Sequence, residues 1–293
     1  MTFNWRKVGN APFKMFRGTA VVDGDVAYFL AYTGEVCSYN LSDKQWPWSL
    51  LPECPYKGCS LAVINSRLTA IGGRKDKLND IVYTNSNKLL SLPGYKEIFP
   101  PMPTKRGNTT AVTSKEHLIV AGGTTGPFTR DIITTVEVMN TKTLVWSTVA
   151  SLPHPYTSAS GTICGDQLYM LGGKDDKRPT KSVLTCSLTE LLQLSSSSSI
   201  WHRVADAPAY YSTCAAVNGE LLAVGGCNEE WKPASVIHKY NPTTNSWDLI
   251  SRMSTRYLCL VAVLSTNEMI VVDGYIDEQF TNTNVFEVVK LSL

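Results

Sequence analysis

The stretch Ala215-Ala216-Val217-Asn218-Gly219-Glu220, continuing as Leu221-Leu222-Ala223-Val224-Gly225-Gly226, decides the fold. Two apolar runs flank Asn218-Gly219. An Asn-Gly turn needs positive φ at both central residues, so the runs pair as an antiparallel hairpin. The second run ends on a glycine doublet, where the backbone can turn and approach neighbours that a Cβ would strike. A third run ends at Tyr240, and Asn241-Pro242-Thr243-Thr244-Asn245-Ser246 then supplies turn residues before Trp247. The unit reads strand, hairpin, strand, Gly-Gly, loop, strand, turn, Trp strand.

The same unit recurs along the chain. Doublets stand at Gly72-Gly73, Gly122-Gly123, Gly172-Gly173 and Gly225-Gly226, spaced by 50, 50 and 53 residues. Weakened copies are Tyr32-Thr33-Gly34 and Val272-Asp273-Gly274, and Asp23-Gly24 repeats the hairpin turn. Trp46 follows Tyr39, Trp146 follows Met139 and Trp247 follows Tyr240, each by seven residues. A proline arrives seven residues after Trp146 and Trp201, and six after Trp46. The second unit has Tyr95-Lys96-Glu97-Ile98 where the tryptophan is expected. Four short strands at this period describe a propeller blade, so the expected fold is an all-β, six-bladed β-propeller with four antiparallel strands per blade.

The last unit has no tryptophan, and the missing strand stands at the other end of the chain. Trp5-Arg6-Lys7-Val8 is followed by Pro12, again seven residues after the Trp. Residues 1–12 are therefore expected to supply the outer strand of the last blade and leave the ring no open edge. The remaining blades are expected over 18–52, 58–103, 107–153, 157–208, 212–253 and 257–293, as one domain. Thr189 to Leu194 and the run Ser195 to Ser199 read as a surface insertion in the fourth blade.

The doublet, the later Tyr and the Trp seven beyond it resemble the kelch repeat, and the resemblance covers essentially the whole chain. It implies a binding module, similar to the substrate-recognition half of kelch adaptors of cullin ubiquitin ligases, whose BTB and cullin-binding segments are not found here. An actin-associated kelch scaffold is the other binding role. Some kelch-like propellers are enzymes, and a metal-free mutarotase acting on sialic acid is the catalytic alternative.

Composition narrows the rest. A net charge of +2 lacks the basic excess of a nucleic-acid binder. No apolar run approaches the roughly 18 residues that span a bilayer. The N-terminus lacks signal-peptide character, so a cytoplasmic address and no membrane are expected. Cys37, Cys54, Cys59, Cys164, Cys186, Cys214, Cys227 and Cys259 form no C-x-x-C pair, and His117, His154, His202 and His238 are scattered. No metal or cofactor is expected, and the thiols read as small buried hydrophobes in a reducing compartment.

Function is expected on the loops, because packing between blades consumes the strands. Two loop families share one rim: those after the glycine doublets and those leading from the prolines to the next inner strand. In the second family Arg17, Lys57, Arg106 and Arg256 fall at similar places, with Tyr156, Tyr210, Tyr211 and Tyr257 alongside. Cations interleaved with aromatics suit an acidic peptide, since Arg bonds carboxylates bidentately and Tyr offers rigid area with a hydroxyl. The expected partner is an acidic protein or peptide segment, bound by a monomeric domain that is not an enzyme.

Overall fold

Each apolar run of the repeat becomes a short strand, and consecutive strands pair antiparallel. The computed structural model describes residues 2–15, 18–43, 47–77, 80–85, 87–89, 99–114, 116–175, 178–193, 200–253, 260–263, 268–275 and 282–292. Three four-stranded sheets follow chain order: Thr110–Thr113, His117–Ala121, Val136–Asn140 and Trp146–Val149; Ser160–Cys164, Gln167–Leu171, Val183–Ser187 and His202–Val204; Thr213–Val217, Glu220–Val224, Val236–Asn241 and Ser246–Arg252. The first unit forms a fourth such sheet from Thr19–Asp23, Val26–Leu30, Val36–Asn40 and Trp48–Leu51.

The fifth four-stranded sheet joins the two ends of the chain. Leu260–Val263, Glu268–Tyr275 and Asn282–Ser292 are completed by Thr2–Asn10, which pairs antiparallel with Asn282–Ser292. The final glycine place behaves differently from the doublets. Glu268–Tyr275 runs on through Asp273-Gly274, with a register shift between Val272 and Gly274.

The expectation of six four-stranded blades is corrected to five among the described residues. Over 58–103 the sheet has three strands, Ser60–Ile64, Arg67–Ile71 and Asn87–Leu89, beside a two-stranded ribbon of Arg74–Lys77 and Asp80–Tyr83. Residues 95–98, expected to replace the tryptophan strand, lie outside the described residues. Ser60–Ile64 still lies between Thr19–Asp23 and Thr110–Thr113. Thr110–Thr113, Ser160–Cys164, Thr213–Val217 and Leu260–Val263 follow in turn, and Leu260–Val263 returns to Thr19–Asp23. The innermost strands thus circle a common axis.

The Trp and Pro spacing has a packing cause. Trp146 Nε1 donates to Pro100 O at 3.0 Å, Trp201 Nε1 to Ala150 O at 3.1 Å and Trp247 Nε1 to Ala205 O at 3.1 Å. Each indole therefore reaches the loop that closes the preceding unit, burying its ring and satisfying its N–H. In the first unit the cross-strand partner of Tyr39 is Trp48, not Trp46, because the turn is two residues longer. The Trp48 ring stands 5.1 Å from Phe286 of the last blade, and Tyr39 stands 4.4 Å from Phe286. This aromatic cluster closes the ring together with Phe29, Ala11 and Met15.

The fourth-unit insertion is only partly a loop. Leu188–Gln193 forms a short helix, because Leu188 and Leu191 share one face and bury it against the core between the third and fourth units. Ser195 to Ser199 lie outside the described residues.

Candidate functional site

The two loop families meet on one rim. Isolated β-bridges join Lys57 to Arg74, Gly107 to Thr124, Thr157 to Lys174 and Tyr210 to Cys227. The glycines make this close meeting possible. Gly123, at φ +99°, donates its N–H to Tyr156 O at 2.7 Å, and a Cβ on Gly122 would strike that same carbonyl oxygen.

Inside the rim a cavity of about 1070 Å³ opens down the axis. Its wall is the innermost strands, with Ser60, Thr110, Ser160 and Thr213 among the lining hydroxyls. Its mouth carries Tyr32, Arg74, Tyr83, Phe128, Lys174, Arg178 and Tyr211. Asp175 is the one carboxylate among the described lining residues, and its Oδ1 accepts from Arg178 N at 2.8 Å.

Bridge register decides where each sequence-predicted residue goes. Arg106 stands four residues before Thr110, one before the bridged Gly107, and points into the protein. It is fully buried, pairs with the buried Glu137 at 2.5 Å, and donates to Gly122 O at 3.0 Å and Thr135 O at 2.8 Å. Tyr156 occupies the same register in the fourth unit and is also buried, its hydroxyl 2.9 Å from Ser182 Oγ. Both are corrected from rim contacts to structural groups. Tyr156→Phe should cost about 1–2 kcal/mol in urea unfolding, because Ser182 loses its buried partner.

One position further on, side chains reach the rim. Lys57 Nζ is 3.0 Å from Asp76, which Arg74 Nε also approaches at 3.3 Å. The hydrogen bond from Lys57 holds the Asp76 carboxyl below its ordinary range. Tyr210 donates to Glu229 at 3.0 Å and stacks on Trp231 at 5.4 Å. Tyr211 lines the cavity mouth with its ring 6.3 Å from Trp231. Arg17, Arg256 and Tyr257 lie outside the described residues.

Further residues of the rim come from the glycine loops. Arg74, Lys174 and Arg178 line the mouth, and Phe128 and Trp231 are 56% and 46% exposed. Arg130 lies 4.5 Å above the Phe128 ring. The acidic pair Glu229-Glu230 is largely compensated, Glu229 by Lys181 at 2.6 Å and Glu230 by Lys232 at 3.1 Å. Hydrogen bonds from Lys181 and Tyr210 keep the Glu229 carboxyl below its ordinary range. Among the described residues no three His, Cys, Asp or Glu side chains gather as metal ligands, and no helix is long and apolar enough to cross a membrane.

Antiparallel sheets around an axial cavity, with glycine doublets bonded to the neighbouring loops, define a β-propeller. The Kelch motif matches residues 105–153 and 208–254, two of the repeated units of this β-propeller. Spermatocyte protein spe-26 of Caenorhabditis elegans is 25% identical over 252 residues, covering 80% of this chain and 41% of that protein. Kelch-like protein 25 of Xenopus tropicalis is 21% identical over 225 residues, covering 74% and 36%. The chain therefore spans about two-fifths of the length of these relatives. The solved structure of YjhT superposes with a TM-score of 0.77 at 15% identity, over 94% of this chain and 95% of that one, which shows the shared fold.

Proposed function

We propose that the domain is a protein-interaction module whose glycine-loop rim captures an acidic, extended peptide segment of a partner. The observation that carries this reading is the cavity mouth, where Arg74, Lys174 and Arg178 stand with Tyr32, Tyr211 and Phe128; Asp175 is the one carboxylate among the described lining residues, and Asp76 pairs with Arg74 beside them. Arginine forks bind carboxylates bidentately, and low-dielectric walls focus a positive potential at the opening. Rigid aromatic rings add contact area at little entropic cost. Lys57, Tyr210 and Tyr211 belong to this surface; Arg106 and Tyr156 support it from behind.

The kelch resemblance extends the reading to the substrate-recognition part of a ubiquitin-ligase adaptor, acting as a monomer in the cytoplasm. The sheet over residues 58–103 is taken as the sixth blade of the ring. Catalysis is not part of the reading.

Selection from a random extended-peptide library tests the proposal. Asp- and Glu-rich sequences should be enriched on the wild type and bind more weakly as salt rises. Arg74→Glu, Lys174→Glu and Arg178→Glu combined should weaken them by roughly 2–4 kcal/mol, since three attractions become repulsions. Enrichment of basic or uncharged sequences, or unchanged binding by the folded triple variant, would overturn it.

A further inference from the structure

Cys54 and Cys59 bracket the loop that leads from the outer strand Trp48–Leu51 to the inner strand Ser60–Ile64, and their sulfurs lie 3.6 Å apart. Gly58, at φ +63°, turns the loop back so that the two side chains meet. Cys54 is buried, with its N–H bonded to Gly34 O at 2.7 Å. Cys59 is partly exposed and lines the central cavity, and its thiol donates to Gly72 O at 3.1 Å.

The other thiols have a different character. Burial pushes Cys186 and Cys214 up to about 12 and Cys227 to about 11, which keeps them protonated and unreactive. In the pair, the hydrogen bond between the two thiols holds Cys54 below its ordinary value and drives Cys59 well above its own.

We propose that Cys54 and Cys59 are a redox modification site, a dithiol on the cavity wall that a hydroperoxide closes to a disulfide. The Cys54 thiolate attacks one peroxide oxygen and the O–O bond breaks. This leaves a sulfenic acid on Cys54 and a hydroxide that takes up the Cys54 proton as water. The Cys59 sulfur then attacks the Cys54 sulfur. The S–O bond breaks as S–S forms, and the departing hydroxide takes the Cys59 proton as a second water. Two thiols and one hydrogen peroxide become one disulfide and two waters. Bonded sulfurs stand about 2.05 Å apart, so the pair closes by roughly 1.5 Å, and Cys59 gives up its bond to the Gly72 carbonyl. The resulting ring encloses Tyr56 and Lys57, which touch Lys75 and Asp76 on the rim.

Peptide mapping tests the site without reference to any ligand. Native protein is treated with hydrogen peroxide, alkylated with N-ethylmaleimide in urea and digested with trypsin without reduction. Trypsin cuts after Lys44, Lys57 and Arg67, so the disulfide joins fragments 45–57 and 58–67. The joined pair should appear with the loss of two hydrogens, and dithiothreitol should release it. Cys54→Ser and Cys59→Ser should each abolish it, while Cys186 and Cys214 remain alkylated thiols. Should either variant fail to fold, comparison of native with urea-unfolded wild type decides alone. Fragments that stay separate with both thiols alkylated, or that join only after unfolding, would overturn the assignment.

Discussion

Deletion of residues 1–12 should lower the midpoint of thermal unfolding by roughly 10–20 °C and broaden the transition. Thr2–Asn10 pairs along nearly its whole length with Asn282–Ser292, so its loss leaves the last blade with a raw edge. Val8 and Ala11 pack into the cluster that joins last and first blades, and Trp5 packs on the neighbouring fifth-unit core. Losing this burial together with the strand hydrogen bonds costs about 5 kcal/mol or more, a large share of the 5–15 kcal/mol that holds a typical protein folded. Trp5→Ala alone should cost less than the 3–5 kcal/mol of a fully buried Trp, about 1–3 kcal/mol, because its ring is only half-buried. Near-ultraviolet circular dichroism during heating reads both. An unchanged midpoint in the deletion would show that the terminal strand does not close the ring.

Arg106→Ala should cost about 3–5 kcal/mol in urea unfolding, because it leaves the buried carboxylate of Glu137 without its cation. It also strips donors from the Gly122 and Thr135 carbonyls. Glu137→Ala should cost a similar amount, leaving an unpaired guanidinium and removing the acceptor of Thr104 Oγ1 at 2.6 Å. The pair is not the one way to fill this place. In the first unit the corresponding register holds Met15 and Cys37, both fully buried and apolar. Arg106→Met combined with Glu137→Val should therefore recover more than half of the loss seen in either single alanine variant. A double variant as unstable as the sum of the singles would show that the carbonyl contacts, not the charges, hold this loop.

What the sequence determined by itself was the repeat and its closure. Glycine doublets, the Asn-Gly and Asp-Gly turns and the Trp-to-Pro spacing are local chemistry, read from φ requirements and alternation within a few residues. The displaced Trp5 element was legible because it repeats the same spacing at the wrong end of the chain. Tertiary structure decided whatever depended on register. Trp48 replaced Trp46 because only the paired strands show how long the turn is. Leu188 and Leu191 became a helix face because a core lay within reach. Arg106 and Lys57 looked alike in sequence, yet the bridge at the following glycine buries one against Glu137, and the bridge at Lys57 itself sends the other to the rim. A shift of one residue along an extended chain reverses which way a side chain points, and composition carries no trace of that shift.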